Sequence, residues 1–196
     1  MTIVGIGGRL ANGKDEVADY LVREHGWIKM GMSDPLHEAM MKLDPIVTAT
    51  TVQYDQYDRS SLFTQTYSEL TREEGYIRAK NNKEYRRLLQ VFGTEVMRDM
   101  FGENVWVDIA RKRIKMTHQG DINVILTGIR YENELRLIDE LGGVSWWVER
   151  PGFENRSSHA SESTLSFEDF DVVLMNDGSL ADLYLVIEQS LRATGV

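Results

Sequence analysis

The stretch Ile3–Val22, IVGIGGRLANGKDEVADYLV, decides the fold. Ile3, Val4 and Ile6 form a short β-branched run that reads as a buried strand. Gly8 to Gly13-Lys14 then has the spacing G-x-x-x-x-G-K. In such a loop, backbone N–H groups turn toward one point at a helix N-terminus, which suits a polyphosphate. Val17, Ala18, Leu21 and Val22 recur at helical spacing afterwards. Strand, glycine loop and helix in this order is the context that a phosphate-binding loop requires; the plain alternative is a glycine turn entering a helix. One position departs from the general motif, since Asp15 stands where a Ser or Thr hydroxyl normally reaches magnesium.

Outward from this stretch, the apolar runs 26–31, 122–127, 144–149 and 171–176 join residues 2–7 as expected buried strands. Helical patterns occupy about 14–25, 34–43, 83–101, 104–118, 131–141 and 179–193. Strands alternating with helices predict an α/β fold, a mainly five-stranded parallel sheet covered on both faces. The 196 residues suffice for a single domain carrying an insertion. Residues 44–82 are polar, rich in Thr, Tyr, Asp and Arg, and lack a strong apolar period. They are expected to form a partly helical insertion near an acceptor site, with a solvated connector as the alternative. Residues 150–166 follow the fourth strand at the carboxyl end, where open α/β sheets place ligands. Their Gly, Asn and Ser content suits a lid that excludes water.

The net charge of −9 argues against binding a nucleic-acid polymer, which needs clustered basic residues. With no cysteine, neither disulfides nor thiolate metal sites arise. No run approaches the ~20 apolar residues that span a bilayer, and no signal peptide is apparent, so a cytoplasmic protein is expected.

Several charged residues suit phosphoryl transfer, in which a protein mostly positions groups and neutralises charge. Lys14 supplies the cation of the loop. Arg98 is a candidate for an acceptor phosphate, because a guanidinium fork matches phosphate oxygens; a surface pair with Glu95, three residues away, is the plainer alternative. Arg130 is expected at the carboxyl end of the third strand, with Glu134 one turn into the next helix. That pair could meet phosphate and magnesium, or simply each other. Arg150 and Arg156 sit in the expected lid. His159 has no companion histidine at ligand spacing and is not a metal candidate.

These motifs together resemble the bacteriophage deoxynucleoside monophosphate kinase family, and the resemblance covers most of the chain. Gly13-Lys14-Asp15 with Ala18-Asp19-Tyr20-Leu21 is similar to the family's G-K-D-T-x-A-D-[YF]-[LI]. Ser33-Asp34-Pro35-Leu36 resembles its A-D-P-L, and Gln90, Gly93-Thr94-Glu95, Arg98 and Trp106 its Q-x-x-G-T-E-x-x-R leading to a tryptophan. Arg130, Asn133 and Glu134 resemble D-x-R-x-x-N-E, Ser158–Glu162 the H-x-S-E lid, and Asn176-Asp177-Gly178 the N-D-G turn. The resemblance makes Asp15 ordinary. It leaves two departures on the magnesium side: Glu16 in place of Thr, and Gly128 in place of an acidic residue.

The resemblance implies a P-loop NTPase three-layer sandwich, like the nucleoside monophosphate kinases, with an acceptor-binding insertion and a lid. It implies a kinase transferring the γ-phosphoryl of ATP to a deoxynucleoside 5′-monophosphate, with magnesium. ATP would lie against Gly8, Asn12, Gly13, Lys14, Asp15 and Glu16, with Asn176 and Gly178 near the adenine. Asp34, Gln90, Thr94, Glu95, Arg98 and Glu134 would face the acceptor. Lys14, Arg130, Arg150 and Arg156 would balance transition-state charge, and Asp15 and Glu134 are the metal candidates. A homodimer is left open, and a phage-encoded enzyme would work in the host cytoplasm. Two alternatives stay in view: a dephospho-CoA-type small-molecule kinase, and a non-catalytic nucleotide-binding regulator favoured by Gly128 and Glu16.

Overall fold

The computed structural model describes residues 1–53, 60–117, 122–152 and 165–196. Contacts divide them into two compact units, residues 1–32 with 106–196, and residues 33–105.

The first unit holds a parallel sheet. Its strands are β1 (Ile3–Gly8), β2 (Ile28–Gly31), β5 (Val124–Ile129), β6 (Val144–Glu149) and β7 (Val172–Met175), in the order β2-β5-β1-β6-β7. Every neighbouring pair is parallel. The runs that looked like buried strands are therefore strands of one five-stranded sheet. Its helices are α1 (Lys14–His25), α7 (Val105–Thr117, beginning one residue before the unit boundary), α8 (Glu132–Glu140) and α9 (Leu180–Thr194). Alternation along β1 explains the layering. Val4 and Ile6 pack with Val17 and Leu21 of α1 and Leu183 and Ile187 of α9. The opposite face at Gly5 lies so close to Ile138 of α8 that a Cβ would sit 2.6 Å from its Cγ1. Helices thus cover both faces.

The second unit comprises α2 (Asp34–Leu43), strands β3 (Ile46–Gln53) and β4 (Ser60–Thr66), and helices α3 (Tyr67–Glu74), α4 (Tyr76–Ala79) and α5 (Lys83–Gln90), followed by a π-helical stretch Val91–Arg98 and α6 (Asp99–Phe101). Among its described residues, the polar segment 44–82 is helical at Tyr67–Glu74 and Tyr76–Ala79, and its strands β3 and β4 before them pair antiparallel. Its strand sequence IVTATTVQ is β-branched, yet lacks apolar alternation because Ala49–Val52 are exposed on both faces. With Val47 the one buried residue among Ile46–Val52, the strand leaves no period to read. The unit is compact because Met40, Val47, Tyr67, Leu70, Ala79, Tyr85 and Leu89 form its own core. There the Tyr67 and Tyr85 rings stack at 4.0 Å. No helix among the described residues is long and apolar enough to cross a membrane.

Candidate active site

β1 is the central strand, and its carboxyl end runs into the glycine loop. At Gly8 a Cβ would lie 2.6 Å from the Val148 carbonyl of the neighbouring strand, so a side chain cannot fit there. Ala11 adopts φ 62°, an uncommon backbone for a residue with a Cβ, and such strain concentrates at functional loops. Gly13 is the N-cap of α1 with φ 100°, and contributes no side-chain cap. The first N–H groups of α1 have no intrahelical acceptors, and the positive end of the helix dipole adds to them. This is an anion cradle. The Lys14 ammonium donates to the Arg9 carbonyl, so the lysine folds over its own loop.

Two arginines reach the same end of the sheet. β5 and β6 flank β1, with Gly7 level with Ile129 and Gly8 level with Val148. Arg130 directly follows β5 and Arg150 directly follows β6; both are exposed. Topology therefore brings Lys14, Arg130 and Arg150 to the carboxyl ends of three adjacent parallel strands. Glu134 is only 3% exposed. Its Oε2 accepts the Arg130 N–H at 2.7 Å and the Tyr131 N–H at 3.2 Å. One carboxylate oxygen thus fixes the backbone from which Arg130 projects. Gly128 has φ 82°, with nothing within 4 Å of a would-be Cβ. Backbone conformation, not space, is what disfavours an acidic side chain there.

The remaining sequence-predicted acceptor residues fall in the second unit. Asp34 opens α2 and is exposed. Gln90, the last residue of α5, and Thr94 and Arg98 of the π-helical stretch recur every four residues; Gln90 and Thr94 are exposed and Arg98 is half-buried. The wider π turn keeps residues four apart close to one face, and π segments are frequent at functional sites. Glu95 is exposed beside them. Gly93 lies against α2, where a Cβ would come 3.1 Å from Leu36 Cδ2. Arg156 and His159, with most of the expected lid, lie outside the described residues.

The family model for deoxynucleotide monophosphate kinase matches residues 36–187 of the 196. The chain belongs to the deoxynucleotide monophosphate kinase family. It is a phosphotransferase, a nucleotide kinase. Because the match begins beyond residue 14, the glycine loop is an observation independent of it. The chain is 24% identical over 239 residues to the deoxynucleotide monophosphate kinase of Enterobacteria phage T4, with 98% of this chain and 99% of the relative covered. To the enzyme of the same name from Escherichia phage RB69 it is 33% identical over 108 residues, covering 55% of this chain and 44% of the relative. A protein of Acanthamoeba polyphaga mimivirus is 27% identical over 194 residues, covering 94% and 93%. Among solved structures, dephospho-CoA kinase from Campylobacter jejuni aligns over 98% of this chain and 96% of its own, with a TM-score of 0.49 and 12% identity. The fold assignment rests on the strand order itself.

Do the carboxylates of this kinase suit magnesium? No group of three or more His, Asp or Glu side chains converges among the described residues. That is compatible with the usual magnesium mode, in which substrate phosphates and waters supply most ligands and the protein one or two carboxylates. Asp15, in the first turn of α1 beside the cradle, is 78% exposed and fits that mode. Lys29 on β2 reaches it at 3.3 Å and Asp19 at 2.9 Å. Burial pulls the Lys29 ammonium down, but Asp19 and Asp15 outweigh it and hold its pKa above the usual value. Glu16 faces α9 instead, where its Oε1 accepts the Tyr184 hydroxyl at 2.5 Å.

Lys29 and Tyr184 were missed by the sequence because their partners are 10 to 168 residues away. His37 was missed too. Its Nδ1 lies 2.8 Å from the Tyr67 hydroxyl and its ring 4.1 Å from that of Tyr76. Burial pushes the His37 imidazole pKa down, and Lys80 adds to this against Asp34 and Glu38. No sequence signal marked it.

Proposed function

We propose that this kinase transfers the γ-phosphoryl of ATP to a deoxynucleoside 5′-monophosphate, giving the diphosphate. The observation that carries this reading is the convergence of the glycine cradle with Lys14, Arg130 and Arg150 at one end of the parallel sheet. Membership of the deoxynucleotide monophosphate kinase family supports that acceptor class. The loop amides and Lys14 hold the donor phosphates. Arg130, on the backbone that Glu134 fixes, and Arg150 neutralise charge that builds on the moving phosphoryl group. Arg98, with Asp34, Gln90, Thr94 and Glu95, holds the acceptor. Its phosphate is already anionic, so little general-base help is required. Asp15 would share in holding a magnesium ion, which would supply further neutralisation of donor phosphate charge.

The test is ATP and magnesium with each deoxynucleoside and ribonucleoside monophosphate, and with dephospho-CoA as an unrelated acceptor. Diphosphate should form from at least one deoxynucleoside monophosphate. Absence of turnover with all of them would overturn the reading.

A further inference from the structure

Asn176 belongs to the turn expected near the donor adenine, but its side chain is committed elsewhere. Its Nδ2 donates to the backbone carbonyl of Asn12 at 2.9 Å, across 164 residues of chain. Asn12 is itself 1% exposed, and its own Nδ2 donates to the Val148 carbonyl at 3.1 Å. Its Oδ1 is buried with no hydrogen-bond partner among the described residues. The opposite amide orientation would set two oxygens against each other at Val148, so the unpaired oxygen is the less costly arrangement. The glycine loop is therefore tied to the ends of both β6 and β7.

The peptide that Asn176 grips is the one between Asn12 and Gly13. In a trans peptide the carbonyl and the N–H point in opposite directions. Holding the Asn12 carbonyl on one side aims the Gly13 N–H to the other, the side of the phosphate cradle. Gly13 fits the same reasoning. A Cβ on it would lie 2.6 Å from Asn176 Nδ2, and its φ of 100° disfavours any side chain.

We infer that Asn176 is a positioning residue of the phosphate cradle: it orients the Asn12–Gly13 peptide toward the donor triphosphate and does not read the adenine. This rests on the reading of Gly8–Lys14 as the ATP phosphate site.

The experiment compares binding of ATP with binding of inorganic tripolyphosphate, which has phosphates but no base or sugar, by calorimetry. It uses the full chain as wild type, Asn176→Ala and Asn176→Asp. Asn176→Asp keeps the packing against Gly13 but replaces the donor with an oxygen. Circular dichroism and melting confirm that each variant is folded at the assay temperature. Both variants should weaken ATP and tripolyphosphate by the same factor, about 10-fold, equivalent to about 1.4 kcal/mol. Weaker ATP binding with unchanged tripolyphosphate binding would mean a base contact and overturn the inference. A lower melting temperature with both affinities unchanged would mean a merely structural tie and also overturn it. Wild type that binds neither ligand would overturn the reading of the loop itself, and the inference with it, before any variant is compared.

Discussion

Glu134 offers a test that separates a buried structural anchor from a metal ligand. In Glu134→Ala the Arg130 and Tyr131 N–H groups lose a charged acceptor at 2.7 and 3.2 Å. Hydrogen bonds to charged groups contribute about 1.5–3 kcal/mol each. The second is long, and the exposed Arg130 backbone regains some solvation, so a total of about 3 kcal/mol is expected. For a chain of this size, 1 kcal/mol shifts the melting temperature by about 2–4 °C, which predicts a loss of about 6–12 °C. Glu134→Gln keeps an oxygen in place and should recover more than half of that loss. The assay is thermal unfolding in buffer with a chelator, so that no metal contributes. Turnover at saturating magnesium is then measured well below the melting temperature. Glu134→Ala should lose activity because Arg130 loses its fixed backbone, while Glu134→Gln should keep most of it without needing more magnesium. A melting temperature for Glu134→Ala within about 1 °C of wild type, or a Glu134→Gln enzyme restored only by raised magnesium, would refute the anchor role.

Removing charge from the cradle end should be severe: Lys14→Ala and Arg130→Ala are each expected to lower steady-state turnover at least ~100-fold. Near-normal activity in Arg130→Ala would make its role untenable. Tyr184→Phe removes the donor held by Glu16 and should cost about 1–2 kcal/mol in denaturant unfolding without changing the magnesium requirement. A changed requirement would place Glu16 on the metal side instead. Because folding lowers the pKa of His37, its contribution to stability is complete above the unfolded value and is lost progressively as pH falls below about 6.5. Melting temperatures from pH 8 to pH 5 should therefore fall less steeply in His37→Gln than in wild type, and parallel curves would contradict this.

Much of the first unit was legible from the chain. Buried strands such as Ile3–Gly8 and Val144–Glu149 are mostly apolar, and α1 carries its period on one face, because burial selects side chains at the spacing of the element. The glycine loop was legible because its shape forbids side chains at Gly8 and Gly13. The antiparallel pair of β3 and β4 was not, since Val47 is the one buried residue among Ile46–Val52 and Ser61–Thr66 and leaves no alternation. Nor was the π-helical stretch, where a change in hydrogen-bond register leaves only Gly93 as a trace.

By itself, then, the sequence determined the strand–loop–helix unit, the parallel α/β architecture and the cast of charged residues, because each of these is local or periodic. Tertiary structure decided which of those residues hold the others. Glu134 is spent on the Arg130 backbone, Glu16 on Tyr184, and Asn176 on the Asn12 carbonyl. Even the missing acidic residue at Gly128 has a tertiary reason, a positive φ at the end of β5 that a side chain would strain. Such assignments depend on hydrogen-bond partners that meet only when the sheet closes, and no spacing along the chain encodes them.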